Sequence, residues 1–159
     1  MSSWNMHGEP QHSNSIIFRF PRAYAFLSGY QKARKRIDQL TCDVQLLRQS
    51  TTDISHQLNG VHESTASHHS RTEKLLTKID LKEREIERER REMENLKTDI
   101  LLLISDLSGT EMKEIIMLYY LEGMSMTDIA STIVRSRSTV RRMMLQAMSE
   151  AEQILNTDH

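Results

Sequence analysis

Two long stretches of the chain repeat apolar residues at alternating steps of three and four, which is the pattern of a coiled-coil helix. The first stripe comprises Tyr30, Ala33, Ile37, Leu40, Val44, Leu47, Thr51, Ile54, Leu58 and Val61. The pair Asn59-Gly60 near its end is a helix-stop signal. We therefore predict one long helix from Tyr24 onward, followed by a loop or fraying end over residues 59–70.

A second stripe begins near Leu75. Its a positions are Ile79, Ile86, Met93, Ile100 and Leu107, and its d positions are Leu75, Lys82, Glu89, Leu96 and Leu103. The polar d residues Lys82 and Glu89 weaken the seam and are expected to fix its register. Two stripes joined by a loop predict an antiparallel helical hairpin with arms roughly 50 Å long. The same stripes are equally able to pair between chains, so a homo-oligomer, most simply a dimer through residues 24–107, is expected.

The composition is that of an elongated helical protein rather than one with a large globular core. Charged residues make up 27% of the 159 residues, and the chain has only five glycines and two prolines. The single cysteine, Cys42, excludes an internal disulfide framework and fits a reducing compartment. Because neither a membrane-spanning apolar run nor a secretory signal is evident, we expect a cytoplasmic protein with no membrane partner.

The C-terminal part carries three short apolar segments at helical spacing. They are Ile115, Ile116, Leu118 and Tyr119; Ile129, Ala130 and Ile133; and Val140, Met144 and Ala147. Thr110, Ser125 and Ser136 are expected to be the N-caps of the three helices. Gly123 is expected to end the first helix in the left-handed conformation. Leu101 and Leu102 broaden the apolar face near the end of the preceding long helix, where we expect this helix to dock on the unit.

The expected fold class is therefore all-α: a long coiled-coil hairpin followed by a small tri-helical helix-turn-helix unit. Residues 1–22 lack a helical period and are rich in Ser, Asn, His and Pro, so they are predicted to be a disordered extension. Residues 23–107 form the predicted coiled-coil and oligomerisation region. Residues 108–159 form the predicted helix-turn-helix domain.

The third short helix is basic, with no acid between Val134 and Gln146. Since the chain as a whole has a net charge of −1, any nucleic-acid affinity must come from such a local patch. Arginine binds phosphates and pairs bidentately with guanine, and serine bonds a base or a phosphate. A helix of this kind suits a groove of double-stranded DNA. The candidate DNA-binding residues are Arg135, Ser136, Arg137, Ser138, Thr139, Arg141 and Arg142.

Residues 118–142 resemble region four of bacterial sigma factors, the part that contacts promoter DNA. Their sequence is Leu-Tyr-Tyr-Leu-Glu-Gly-Met-Ser-Met-Thr-Asp-Ile-Ala-Ser-Thr-Ile-Val-Arg-Ser-Arg-Ser-Thr-Val-Arg-Arg. A long coiled-coil part followed by such a unit is similar to the phage and prophage regulators of the ArpU/RinA type, which are linked to late-gene transcription in Gram-positive bacteria. The resemblance covers about residues 24–155 and is specific over 115–145. It implies transcription regulation, base and phosphate contacts within residues 136–142, and host RNA polymerase as a further partner.

One position departs from that family's pattern, since the turn before the third helix usually holds glycine and here holds Val134. A β-branched residue at positive φ is strained by roughly 1–2 kcal/mol. Because Ile129-Ala130 and Ser136 keep the usual spacing, we expect the usual turn with a strained Val134. The alternative is a rebuilt turn with negative φ. Residues 1–20 have no counterpart in the family.

Two other functions stay open on the sequence alone. A small terminase-like DNA-packaging protein also joins a helix-turn-helix to an oligomerising helical part. A polymerase-binding or sigma-binding adaptor would lack DNA binding, against which the arginine cluster argues. The sequence has no glycine-rich phosphate loop, catalytic triad or paired-carboxylate site, so neither an enzyme nor a cofactor is expected.

Two further clusters are weaker candidates. Four histidines near the predicted loop are expected to be solvated rather than to bind zinc, which needs three or four ligands in fixed geometry. They are His56, His62, His68 and His69. An acid-free basic run is expected to be a solvated start of the first long helix, and a second phosphate-contact patch is the alternative. The run consists of Arg19, Arg22, Lys32, Arg34, Lys35 and Arg36.

Overall fold

The computed structural model of the chain describes residues 12–57 and 65–157. These residues are 90% helical, with six α-helices and no strand, which confirms the all-α class. The helices are α1 (His12–Arg19), α2 (Pro21–Gln57), α3 (Thr65–Ser105), α4 (Thr110–Ile116), α5 (Met126–Thr132) and α6 (Arg137–Thr157). After α4 the chain continues directly into a π-helical turn, Met117–Leu121.

The expected disorder through residue 22 is wrong for the described part of that segment. Residues 12–19 form α1, and α2 already begins at Pro21. The reason is tertiary packing, because Phe20 is buried in a hydrophobic core and Ile16 packs against it. Local periodicity over so short a stretch does not reveal such a contact. Residues 1–11 lie outside the described residues.

The expected loop over residues 59–70 is also too long. Helix α3 begins at Thr65, and on its first turns His69 Nε2 lies 3.1 Å from Glu73 Oε1. Glycine and proline are absent from residues 61–107, so nothing in that sequence stops the helix of the second stripe from extending toward its N-terminus. The Asn59-Gly60 signal and the last two stripe residues, Leu58 and Val61, lie outside the described residues.

The described chain divides into two compact units, and this division differs from the expected one. Lys32–Asn95 form one unit, here named the hairpin unit. Residues 12–31 and 96–157 form the other, here named the terminal unit. The sequence assigned the start of α2 and the end of α3 to a coiled-coil region at 23–107. Heptad periodicity does not show which part of a long helix packs on a third element.

In the hairpin unit the two stripes pack against each other within one chain. The buried core consists of Ile37, Leu40 and Val44 of α2 and Ile79 and Ile86 of α3, with Leu47 and Met93 partly buried beside it. All seven residues occupy positions of the predicted stripes. Within one chain, therefore, each helix covers the apolar stripe of the other.

The two polar d residues of α3 form ion pairs with α2. Lys82 Nζ lies 2.8 Å from Asp43 Oδ2, and Glu89 Oε1 accepts a hydrogen bond from Arg36 Nε at 2.9 Å. Arg36 also donates through Nη2 to Glu85 Oε1 at 2.6 Å. A shift of one helix along the other would separate these charges, which supports the register role expected of Lys82 and Glu89.

The core of the terminal unit includes the end of α3, whereas α4 and α5 both pack on α6. Its largest fully buried side chains are Leu27, Ile100, Ile115, Ile116, Ile129, Val140, Met144 and Met148. As expected, the end of α3 docks on this unit, but Leu101 and Leu102 are 39% and 61% exposed and do not broaden the packed face. The side of α3 that packs into the core instead carries Ile100, Leu103 and Ile104.

A side chain of α6 caps the N-terminus of α2. The first residue of α2 is Pro21, which has no N–H group to satisfy. The N–H groups of Arg22 and Ala23 donate to the two oxygens of the Glu152 carboxylate, at 3.4 and 2.7 Å. A carboxylate also has the favourable charge for a helix N-terminus. The C-terminal half of α6 is thereby attached to the start of α2.

Replacing Val44 with aspartate should destabilise the hairpin unit. Val44 is 5% exposed in its core, so a carboxylate there would be buried without a partner. We expect the free energy of unfolding to fall by about 3 kcal/mol or more, measured by urea denaturation followed by circular dichroism. The matched control is Leu46→Asp at a side chain that is 61% exposed, with an expected change below about 0.5 kcal/mol. A larger loss from Leu46→Asp than from Val44→Asp would contradict the packing of the stripes within one chain.

Candidate nucleic-acid interface

The turn between α5 and α6 has the geometry that the sequence spacing predicts. Ile133 is the C-cap of α5, and Val134 follows with φ +55°. The N–H of Arg135 donates to Ala130 O at 3.0 Å, a bond that spans five residues and is typical of a Schellman ending. The expected left-handed Val134 is therefore confirmed. Because this side chain is 85% exposed, little burial energy offsets the strain at this position.

Two of the three expected N-caps are confirmed, and one is wrong. Ser125 Oγ accepts the N–H of Asp128 at 3.1 Å, and Ser136 Oγ accepts the N–H of Thr139 at 3.2 Å. Helix α4 already includes Thr110, and its N-cap is Gly109. The N–H of Lys113 donates to Gly109 O at 3.0 Å, so the helix begins one residue earlier than the hydroxyl signal suggests. Glycine is among the residues that N-caps accept.

Helix α6 divides its surface between the core and solvent. Its buried face carries Val140, Met144, Ala147, Met148 and Ala151, at steps of three, four and one. The residues expected to point inward, Val140 and Ala147 with Met143 or Met144, are thus confirmed, with Met144 as the buried methionine. The opposite face of the N-terminal half carries exposed side chains, namely Arg137, Ser138, Arg141, Arg142 and Gln146.

The seven candidate residues lie together at the start of α6 and in the turn before it. Six of them are exposed, and Thr139 is partly buried. Ser136 Oγ lies 3.1 Å from Ser138 Oγ and 2.8 Å from Thr139 Oγ1, so the three hydroxyl groups form one small cluster at the helix start. This surface, the candidate residues Arg135–Thr139 with Arg141 and Arg142, is here named the α6 basic face.

Arg135 differs from the other arginines of the α6 basic face because α4 holds its guanidinium. Arg135 Nη2 donates to Glu111 Oε1 at 2.6 Å, across 24 residues of sequence. The hydrogen bond and then the charge of Glu111 raise the pKa of Arg135 above its ordinary value, so it stays cationic. Sequence periodicity gave no signal for this pair, since an ion pair between two helices depends on how they pack.

The acidic residues of α6 lie in its C-terminal half, where they bind other parts of the terminal unit. Between Asp128 and Glu150 the sequence has no Asp or Glu, so the N-terminal half of α6 keeps its positive charge. Glu150 accepts the N–H and the hydroxyl of Ser108 at 2.9 and 2.8 Å, and Glu152 caps α2. The two carboxylates therefore fix α6 in the terminal unit without neutralising its basic end.

The π-helical turn after α4 is a feature that sequence analysis missed. The N–H of Glu122 donates to Met117 O at 3.1 Å, five residues back. The Gln31 side chain donates to Tyr120 O at 3.1 Å and to Leu121 O at 3.0 Å, which satisfies carbonyls that the widened turn leaves free. Gly123 then ends the helix with φ +74°, as the sequence predicts.

Tyr120 in this π-helical turn contacts α6 directly. Its hydroxyl lies 3.5 Å from the sulfur of Met148, and its ring meets Tyr119 edge-on with centroids 4.9 Å apart. Burial, with smaller contributions from Tyr119 and Tyr24, raises the pKa of Tyr120 well above its ordinary value. The phenol therefore stays neutral, and it packs as part of the core on which α6 rests.

The weaker candidate sites gain less support. Arg36 of the basic run pairs with Glu85 and Glu89, although Arg34 and Lys35 are exposed. His62 lies outside the described residues. Within 12–57 and 65–157, no group of three or more His, Cys, Asp or Glu side chains is placed to hold a metal ion. None of the described helices is both long and apolar enough to span a membrane.

Comparison of the chain with known protein families, with curated proteins and with solved structures found no match. A functional assignment therefore depends on the geometry and charge of the chain's own residues. The α6 basic face combines four exposed arginines with hydroxyl groups at the start of one helix.

Glycine in place of Val134 should stabilise the protein. Relief of left-handed strain, roughly 1–2 kcal/mol, exceeds the extra conformational entropy of glycine, roughly 0.5–1 kcal/mol. We expect a higher melting temperature for Val134→Gly in thermal unfolding. The control Val134→Ala keeps a Cβ atom at positive φ and should give a smaller gain. A lower melting temperature for the glycine variant would mean that the turn in solution has negative φ at this position.

Proposed function

We propose that the chain binds double-stranded DNA through a helix-turn-helix formed by α5 and α6, with α6 as the reading helix. The observation that carries this proposal is the α6 basic face. Its arginines and the serines Ser136 and Ser138 are exposed at the start of a helix that is anchored by its opposite side. Helix-turn-helix proteins place this part of their second helix in the major groove, where N-terminal residues reach the base edges.

The chemistry of the exposed side chains fits two kinds of contact. Arg137 and Arg141 lie one helical turn apart, and each guanidinium can pair with the O6 and N7 acceptors of a guanine. Arg142 and the hydroxyl of Ser138 lie beside them and are suited to phosphate oxygens. Phosphate contacts position the helix, and base contacts supply sequence preference. Neither kind of contact needs a metal ion or a cofactor.

We further propose that this DNA contact serves transcription regulation, as in the ArpU/RinA-type phage regulators that the sequence resembles. The resemblance to sigma region four makes host RNA polymerase a second proposed partner. A dimer was expected from the heptad stripes. In the hairpin unit the apolar faces of these stripes pack within the chain. A homo-oligomer, most simply a dimer through residues 24–107, is a further proposal. The corresponding proposed location is the bacterial cytoplasm, at the nucleoid.

The test replaces Arg137 and Arg141 with alanine. Wild-type protein first selects duplexes from a random-sequence pool, and affinities for the selected duplex are then measured by fluorescence anisotropy. The double variant should lose about 1–3 kcal/mol for each base contact while its circular dichroism spectrum stays unchanged. As a matched control, Arg84→Ala with Arg88→Ala removes the same charge from an exposed part of α3 and should leave the affinity nearly unchanged. Selection of no duplex by the wild type, or equal affinity of the Arg137/Arg141 variant, would refute the proposal.

A further inference from the structure

Glu111 and Arg135 bring together an acid of α4 and a cation of the α6 basic face. Arg135 lies in the two-residue stretch between the left-handed Val134 and the first residue of α6. Its Nη2 atom is 2.6 Å from Glu111 Oε1, with the two side chains 50% and 40% exposed. The guanidinium is thus reachable from solvent while a carboxylate already occupies one side of it.

The two oxygens of the Glu111 carboxylate differ in their hydrogen bonding. One oxygen accepts the bond from Arg135, whereas the other, Oε2, is buried and has no hydrogen-bond partner among the described residues. Arg135 donates the hydrogen bond that this carboxylate accepts, and moving the guanidinium toward another anion would break that bond. The loss of this charged hydrogen bond opposes such a move.

A DNA phosphate and the Glu111 carboxylate would compete for the same donor atoms. Both are oxygen anions that a guanidinium binds through charged hydrogen bonds. Sequence-independent DNA affinity depends mainly on how many phosphates the protein neutralises. A cation that is already paired within the protein therefore contributes less to that affinity than its position suggests.

We propose that Glu111 is an intramolecular competitor of DNA phosphate for Arg135 and thereby limits sequence-independent binding by the α6 basic face. This inference rests on the proposed DNA-binding function and deepens it. Glu111 is a positioning residue in this role, because it acts through Arg135. Discrimination between DNA sites is left to the proposed base contacts of Arg137 and Arg141.

The experiment uses full-length protein and a duplex of arbitrary sequence. Removing the carboxylate charge by Glu111→Gln should raise affinity for this duplex about two- to fivefold, the range set by a single exposed ion pair. The slope of log K against log salt concentration should become steeper by about 0.9, since one more phosphate is neutralised. Glu114→Gln is the matched control, because it removes the same charge from an exposed position on the same helix. It should leave the slope unchanged.

Arg135→Ala completes a double-mutant cycle, in which Glu111→Gln is measured with and without Arg135. In an Arg135→Ala background, Glu111→Gln should no longer change affinity or salt slope, whereas a general effect of charge or of the α4 helix end would persist. A Glu111→Gln variant that binds as weakly as wild type, that behaves like Glu114→Gln, or that keeps its effect without Arg135 would overturn the inference. Any of these outcomes rejects the competition between Glu111 and DNA phosphate. The proposed DNA-binding function would still stand if Arg137→Ala with Arg141→Ala weakens binding in the same assays. If wild type binds no duplex at all, the proposed function itself fails.

Discussion

The packing of one face of α6 into the terminal unit determines how the rest of this unit is arranged. Val140, Met144, Ala147 and Met148 are each at most 1% exposed. Burying a Val- or Met-sized side chain contributes roughly 1.5–3 kcal/mol, so rotating α6 about its axis would cost several such contributions. Because the apolar face cannot turn outward, the arginines on the opposite face must point to solvent.

Several polar contacts make this orientation specific. The Glu152 carboxylate binds the first N–H groups of α2, and Glu150 binds Ser108 in the segment between α3 and α4. Ser136 closes the first turn of α6, directly after the left-handed Val134. Acidic side chains are consequently engaged at the C-terminal half of α6, and its N-terminal half is left with arginines and hydroxyl groups. A single helix thereby serves as core, anchor and proposed DNA-binding surface.

Local and periodic features were predictable from the sequence. The heptad positions predict which residues form the core of the hairpin unit. The N-caps Ser125 and Ser136 and the left-handed Val134 follow from residue type and spacing. Features that depend on contacts between residues distant in sequence were not predictable in this way. The π-helical turn is held by Gln31, roughly ninety residues away along the chain, and Arg135 is held by Glu111 on another helix. The extent of the terminal unit was missed for the same reason, since a heptad pattern is the same whichever helix covers it.

Amide hydrogen exchange with and without a duplex selected by the wild-type protein is the most direct test of the account. Bound DNA should slow exchange over residues 135–142 and leave the exposed basic positions at Arg34 and Lys35 unaffected. Such a pattern would place the contact on the outward side of α6. Protection at residues 32–36 with unchanged exchange over 135–142 would contradict the central claim that the buried face of α6 orients a DNA-binding surface.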